Sequence, residues 1–120
     1  MASILIIDDS RTSRKILKEV LERAGHEVVG EAANGEEGIG LYRELKPDLV
    51  TLDITMPVMN GLEALEHLME EDKNVKVIMI TAAGQKEKMV KAIKEGAADF
   101  ITKPFEVEQV IEAVNHLLER

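Results

Sequence analysis

Ile4-Leu5-Ile6-Ile7 is a run of four consecutive apolar residues, and it ends in two acids, Asp8-Asp9. Apolar residues on consecutive rather than alternate positions fit a strand covered on both faces. Beyond the acids the spacing changes. Ile16, Leu17, Val20, Leu21 and Ala24 fall on one helical stripe. Gly25 follows, where a left-handed C-terminal cap is wanted. Residues 4–25 therefore read as one strand and one helix.

The same unit recurs along the chain. Leu49 to Ile54, Val77 to Ile80 and Phe100-Ile101 are further apolar runs, and Val28-Val29 is a weaker one. Helical stripes lie between them: Ile39, Tyr42 and Leu45; Leu62, Leu65 and Leu68/Met69; Met89, Val90, Ile93 and Ala97; and finally Val107, Val110, Ile111, Val114 and Leu118. Asn34 and Asn60 suit N-caps, with Glu36 and Glu37 in the first turn after Asn34. Pro47 stops the second helical pattern. Strand–helix–strand units of this length pair in parallel through right-handed crossovers. The expectation is a doubly wound (βα)5 α/β domain with a five-stranded parallel sheet.

Composition bounds the function. The chain has 120 residues, 45% hydrophobic and 32% charged, an ordinary globular mixture for one domain. With 15 basic and 23 acidic residues the net charge is −8, which disfavours direct nucleic-acid binding. There is no Cys, so disulfides, thiolate metal sites and cysteine nucleophiles are excluded. No apolar run approaches the ~18 residues of a membrane helix. Met1-Ala2-Ser3 enters the first strand without the basic region of a signal peptide. The reading is a cytoplasmic protein with no membrane partner.

In open parallel sheets, ligands bind at the carboxyl ends of the strands. Asp8 and Asp9 follow strand 1, Asp53 lies near the end of strand 3, Thr81 follows strand 4, and Lys103-Pro104 follows strand 5. The fold brings these to one edge. Three converging carboxylates repel one another by about 1–4 kcal/mol per pair at 4 Å. Lys103 offsets one charge. A hard divalent cation would offset two more, and an oxygen-only donor set suits Mg²⁺ or Mn²⁺. This constellation points to phosphoryl transfer, with Asp53 the nucleophile and Thr81 a hydrogen-bond donor to a phosphoryl oxygen. From spacing alone Phe100 is a strand-core residue, Phe105 packs, and His26, His67 and His116 share no ligand spacing.

The chain resembles the response regulator receiver domain of two-component signalling, most of all the stand-alone chemotaxis, CheY-like type. The resemblance covers essentially the whole chain and implies a flavodoxin-like sheet with strand order 2-1-3-4-5. It rests on Asp8-Asp9-Ser10, on Pro47 through Gly61 with Asp53-Ile54-Thr55-Met56-Pro57 at its centre, on Thr81-Ala82, and on Gly96 through Phe105. It implies that residues 1–120 form one receiver domain with no output domain. Asp53 would take a phosphoryl group from a phosphohistidine on a histidine kinase or phosphotransfer protein, or from a small donor such as acetyl phosphate. Asp8, Asp9, Asp53 and the Thr55 main-chain carbonyl would hold Mg²⁺. Lys103 would pair with the phosphoryl oxygens, with a cis bond to Pro104. Thr81 would close on the phosphoryl group and Phe100 would turn inward behind it, remodelling the face of helix 4, strand 5 and helix 5 for an output partner, the flagellar motor switch in a chemotaxis pathway. Such a protein catalyses only its own phosphorylation and dephosphorylation. It is expected to be a monomer, with dimerisation on phosphorylation left open. Thr55 and Ala83 stand at positions that vary in the family and border the attacking water's path.

Two other classes compete. A Mg²⁺-dependent phosphohydrolase of the haloacid dehalogenase type also uses an Asp nucleophile, but it wants a second Asp two residues on, where Thr55 stands. A receiver that only binds partners would lack one of the site residues, and all are present. The dinucleotide fingerprint and the P-loop are both missing. Finally, Arg11, Arg14, Lys15 and Lys18 make helix 1 basic, and Lys86, Lys88, Lys91 and Lys94 do the same for helix 4. Such faces steer acidic partners, and they suggest phosphodonor docking on helix 1 and output docking on helix 4.

Overall fold

Alternate strand residues feed two separate cores, and that alternation determines the architecture. In the computed structural model, which describes residues 2–119, the chain runs β1 (Ser3–Ile7), α1 (Arg11–Arg23), β2 (Glu27–Ala32), α2 (Gly35–Leu45), β3 (Leu49–Asp53), α3 (Gly61–Glu71), β4 (Val77–Ala82), α4 (Lys86–Glu95), β5 (Asp99–Lys103) and α5 (Val107–Leu118). The strands form one parallel sheet in the order β2-β1-β3-β4-β5. Leu5, Ile7, Val50, Leu52, Val77 and Met79 point to one face, under α2, α3 and α4. Ile4, Ile6, Leu49, Ile78, Ile80 and Ile101 point to the other, under α1 and α5. β1 and β3 and most of β4 are buried on both faces, so their sequences read as consecutive apolar runs. The expected fold class and strand order are those observed.

The helix ends follow local chemistry. The Ser10 hydroxyl accepts from the Ser13 N–H, and Asn34 and Asn60 accept from the Glu37 and Glu63 N–H groups. Each cap satisfies one orphan donor. Gly25, at φ +93°, follows α1 in the left-handed conformation its position requires. At the opposite rim, the Tyr42 hydroxyl donates to Asp72 at 2.9 Å and Arg43 pairs with Glu71, tying α2 to α3. His26 packs inside, accepting at Nδ1 from the Ala2 N–H, while His67 and His116 are exposed. Among the described residues, no helix is long and apolar enough to cross a membrane.

The structure corrects several sequence readings. Phe100 is not a core residue: it lies on the edge strand β5 and is 40% exposed. The stripe of Met89, Val90, Ile93 and Ala97 is buried only in part: Ala97, just beyond α4, joins the core and Met89 is half-buried. Val90 and Ile93 are exposed, and Ala92 is the fully buried residue of that helix. The stripes of α1, α2 and α5 are narrower than read, since Ile16, Leu45 and Val107 are exposed, whereas that of α3 packs as read. α4 is thus the least anchored helix; α1 and α5 bury three residues each and α2 and α3 four.

Candidate functional site

Sheet register sets the site. Ile7 pairs with Leu52, so Asp8 emerges beside Asp53, and Asp53 pairs in turn with Ile80. Thr81 is abreast of Thr102, and Ala82 of Lys103. Five of the sequence-predicted residues therefore gather at the carboxyl edge: Asp8, Asp9, Asp53, Thr81 and Lys103. Asp8, Asp9 and Asp53 each offer a carboxylate oxygen, and the three oxygens lie within 4.8 Å of one another. Asp8 and Asp53 are buried and Asp9 is exposed. The Lys103 ammonium lies 3.1 Å from Asp8 Oδ2 and 3.4 Å from Asp53 Oδ2, and the Lys103–Pro104 peptide bond is cis.

The electrostatics follow from this packing. Burial pushes the Asp53 carboxyl up to about 6, and the neighbouring Asp8 charge adds to the rise while Lys103 opposes it. Burial also works against the Lys103 charge, but Asp8 and Asp53 outweigh it and hold the ammonium above its ordinary range. A buried carboxyl this hard to ionise, beside two other acids, is one whose charge a bound cation would stabilise. Asp8 Oδ1 accepts from the Ser10 N–H at 2.8 Å, whereas Oδ2 is buried without a properly aligned hydrogen bond. That oxygen, paired only with the Lys103 ammonium, and the all-carboxylate donor set fit a hard divalent cation.

The β3–α3 loop is shaped by close approach. Gly61 donates its N–H to the Ile54 carbonyl at 2.7 Å. A Cβ on Gly61 would fall on the Asp53 carbonyl oxygen and within 2.7 Å of Ile54 Cα, so only glycine fits. Val58 is 76% exposed at φ +67°, unusual for a β-branched residue, and the Met59 N–H reaches back to the Pro57 carbonyl at 2.7 Å. Thr55 is exposed in this loop. Phe100 lies apart from the cluster, on β5 abreast of Met79.

Two residues of the site were missed by spacing. Arg14 is not a free surface cation: it donates to the Asp8 carbonyl at 2.7 Å and pairs with Glu31 at 3.3 Å. Gln85 bridges two loops. Its amide donates to Thr55 Oγ1 at 2.7 Å and accepts from the Ala82 N–H at 3.1 Å, with the Thr81 hydroxyl also 3.1 Å away. Nothing in one-dimensional spacing announces a side chain that bridges two loops.

Over residues 4–115 the chain matches the family profile of the response regulator receiver domain. It belongs to that family. The chain is 51% identical over 112 residues to the chemotaxis protein CheY of Thermotoga maritima, which covers 93% of each chain. It is 48% identical over 118 residues to protein CcdB of Bacillus subtilis, covering 98% of each. Among solved structures it is similar to a CheX–CheY–BeF3–Mg²⁺ complex from Borrelia burgdorferi, with a TM-score of 0.93 and 38% identity over 97% of this chain and 88% of the other. Receiver domains bind Mg²⁺ at an acidic pocket, and here Asp8, Asp9 and Asp53 cluster at the carboxyl edge of the sheet.

Proposed function

We propose that the chain is a phosphoryl-operated switch in which Asp53 is the phosphoacceptor. The observation that carries this is a buried carboxyl at the end of β3, pushed up to about 6, between two further acids and a lysine. An Asp53 oxygen attacks the phosphorus of a phosphohistidine on a histidine kinase or phosphotransfer protein. The P–N bond breaks and its electron pair returns to the imidazole, which takes a proton. Acetyl phosphate would serve as a small donor. Return to the resting state is hydrolysis, in which water attacks phosphorus and frees Asp53 and inorganic phosphate. Mg²⁺, or Mn²⁺ in its place, would be held by Asp8, Asp9, Asp53 and the Thr55 main-chain carbonyl, and it would neutralise charge on the phosphoryl oxygens. Lys103 pairs with those oxygens from the β5 side, and Thr81 donates to one of them.

The output reading follows the α4-β5-α5 face. Phe100, Val90 and Ile93 are exposed there, and Phe100 turning inward behind Thr81 would change what a partner meets. Lys86, Lys88, Lys91 and Lys94 line a groove with Leu62 of α3, which favours an acidic partner segment. At the N-terminal end of α1 the exposed cations left for a phosphodonor are Arg11 and Lys15. Relatives named chemotaxis proteins support a chemotaxis role, which we read as cytoplasmic with the flagellar motor switch as output; a receiver of another signalling pathway, or of a larger regulator, is the alternative.

Intact-mass spectrometry after acetyl phosphate and Mg²⁺ tests the reading. Wild type should gain one phosphoryl group that hydroxylamine removes, and Asp53→Asn should gain none. No adduct from acetyl phosphate or from a phosphorylated histidine kinase would overturn it. Steady phosphate release from many organic monophosphates would favour a hydrolase instead.

A further inference from the structure

Gln85 carries no assigned role, yet its amide ties together the two loops that border the phosphoryl position. Its orientation is fixed by chemistry. The Ala82 N–H can only donate, so Oε1 must face it, at 3.1 Å. Nε2 then faces Thr55 Oγ1, at 2.7 Å. Oε1 is also 3.1 Å from the Thr81 hydroxyl, whose other acceptor is the Ala82 carbonyl at 3.1 Å. A hydroxyl has one proton. To donate to a phosphoryl group on Asp53, Thr81 must withdraw it from both of these acceptors. Ala83, two residues beyond Thr81, brings no polar side chain to compensate.

We propose that Gln85 is a positioning residue that latches the Thr81 hydroxyl in the resting chain, with Thr55 as the anchor, and so sets how strongly the phosphorylated state is favoured. The latch rests on the phosphoacceptor reading of Asp53 and adds to it a residue that acts through Thr81 without touching the phosphoryl group. Because the Gln85–Thr81 bond exists only in the resting state, removing it favours the loaded state. One intramolecular hydrogen bond has a net value of about 1 kcal/mol, which corresponds to roughly a fivefold change in an equilibrium constant. Thr55→Ala releases the anchor and should give a smaller change in the same direction.

Beryllofluoride with saturating Mg²⁺ is the probe, titrated against amide chemical shifts in the full chain. Gln85→Ala should bind it about fivefold more tightly than wild type. In a Thr81→Ala background the same substitution should give no gain. Without beryllofluoride, the Ala82 amide should exchange faster in Gln85→Ala than in wild type. A residue that merely stiffens the loop would change the midpoint of thermal unfolding, and its effect on binding would not depend on the Thr81 hydroxyl. Unchanged or weaker binding by Gln85→Ala, a gain that persists in Thr81→Ala, or an unchanged Ala82 amide overturns the latch while leaving the phosphoacceptor reading intact. Failure of wild type to bind beryllofluoride at all would overturn the phosphoacceptor reading, and the latch with it.

Discussion

Replacing Asp53 with Asn should stabilise the metal-free protein at neutral pH. The folded Asp53 carboxyl sits at about 6 against an ordinary 3.8, because burial and the Asp8 charge disfavour its ionised form more than Lys103 favours it. Below about pH 4 the carboxyl is neutral in both folded and unfolded chains and the difference vanishes. As pH rises from about 4 to about 6 the unfolded chain ionises while the folded chain still holds the proton, so stability falls with pH. Above about pH 6 the penalty is complete. Two pH units at 1.36 kcal/mol each set a ceiling of roughly 3 kcal/mol, and residual solvent at the rim reduces this to about 1–2 kcal/mol. Asp53→Asn keeps the size of the side chain and removes the titration. At pH 7.5 in EDTA it should raise the unfolding temperature by roughly 5–10 °C. Circular dichroism melts at stepped pH values provide the assay. Wild type should lose this increment between about pH 4 and pH 6, while the variant's curve should be flatter over that range. Added Mg²⁺ should narrow the gap by stabilising wild type more than the variant. An Asn variant no more stable than wild type at pH 7.5, or a gap that does not shrink at acid pH, would refute the reasoning.

Three further outcomes follow from the packing. The Thr51 hydroxyl is buried in β3 without a hydrogen bond, so the near-isosteric Thr51→Val should stabilise by about 1 kcal/mol in a denaturant melt; destabilisation would mean the hydroxyl has a partner. Gly61→Ala drives a methyl into the Asp53 carbonyl and Ile54 backbone, so it should cost about 1–3 kcal/mol and weaken Mg²⁺ binding in a calorimetric titration; wild-type values for both would show that the loop has room. Tyr42 is the only tyrosine and there is no tryptophan, so ultraviolet titration reads it cleanly. Burial, reinforced by the Asp72 hydrogen bond, should place its midpoint near 12, with Asp72→Asn lowering it; a midpoint near 10 in the folded protein would remove the tie between α2 and α3.

Much of this was legible in the sequence because buried parallel strands and strand-end acids leave local signatures. β1, β3 and β4 announce themselves as consecutive apolar runs, and Asp8, Asp53, Thr81 and Lys103 each end or follow a strand, so topology alone collects them. The edge strands were harder. In β2, Glu27, Gly30 and Glu31 interrupt the apolar signal, because one side of that strand has no neighbouring strand. Phe100 was read as core for the converse reason: a large apolar residue on an edge strand looks the same on paper as one beneath a helix. In α4 the buried residue is Ala92, whose small side chain signals burial weakly, while the larger Val90 and Ile93 drew the stripe toward solvent. Arg14 and Gln85 were illegible because their roles lie in contacts with distant backbone and a second loop, which spacing along the chain does not encode.

The uneven seating of the helices has a mechanical consequence. α2 and α3 are stitched together at their far ends, and α1 and α5 share a broad apolar seam. α4 rests on the sheet chiefly through one alanine, with a rank of lysines facing water. A disturbance entering at the carboxyl rim will move whichever strut is cheapest to displace. That strut begins directly after Gln85, so the softest part of the scaffold adjoins the residue that bonds the Thr81 hydroxyl.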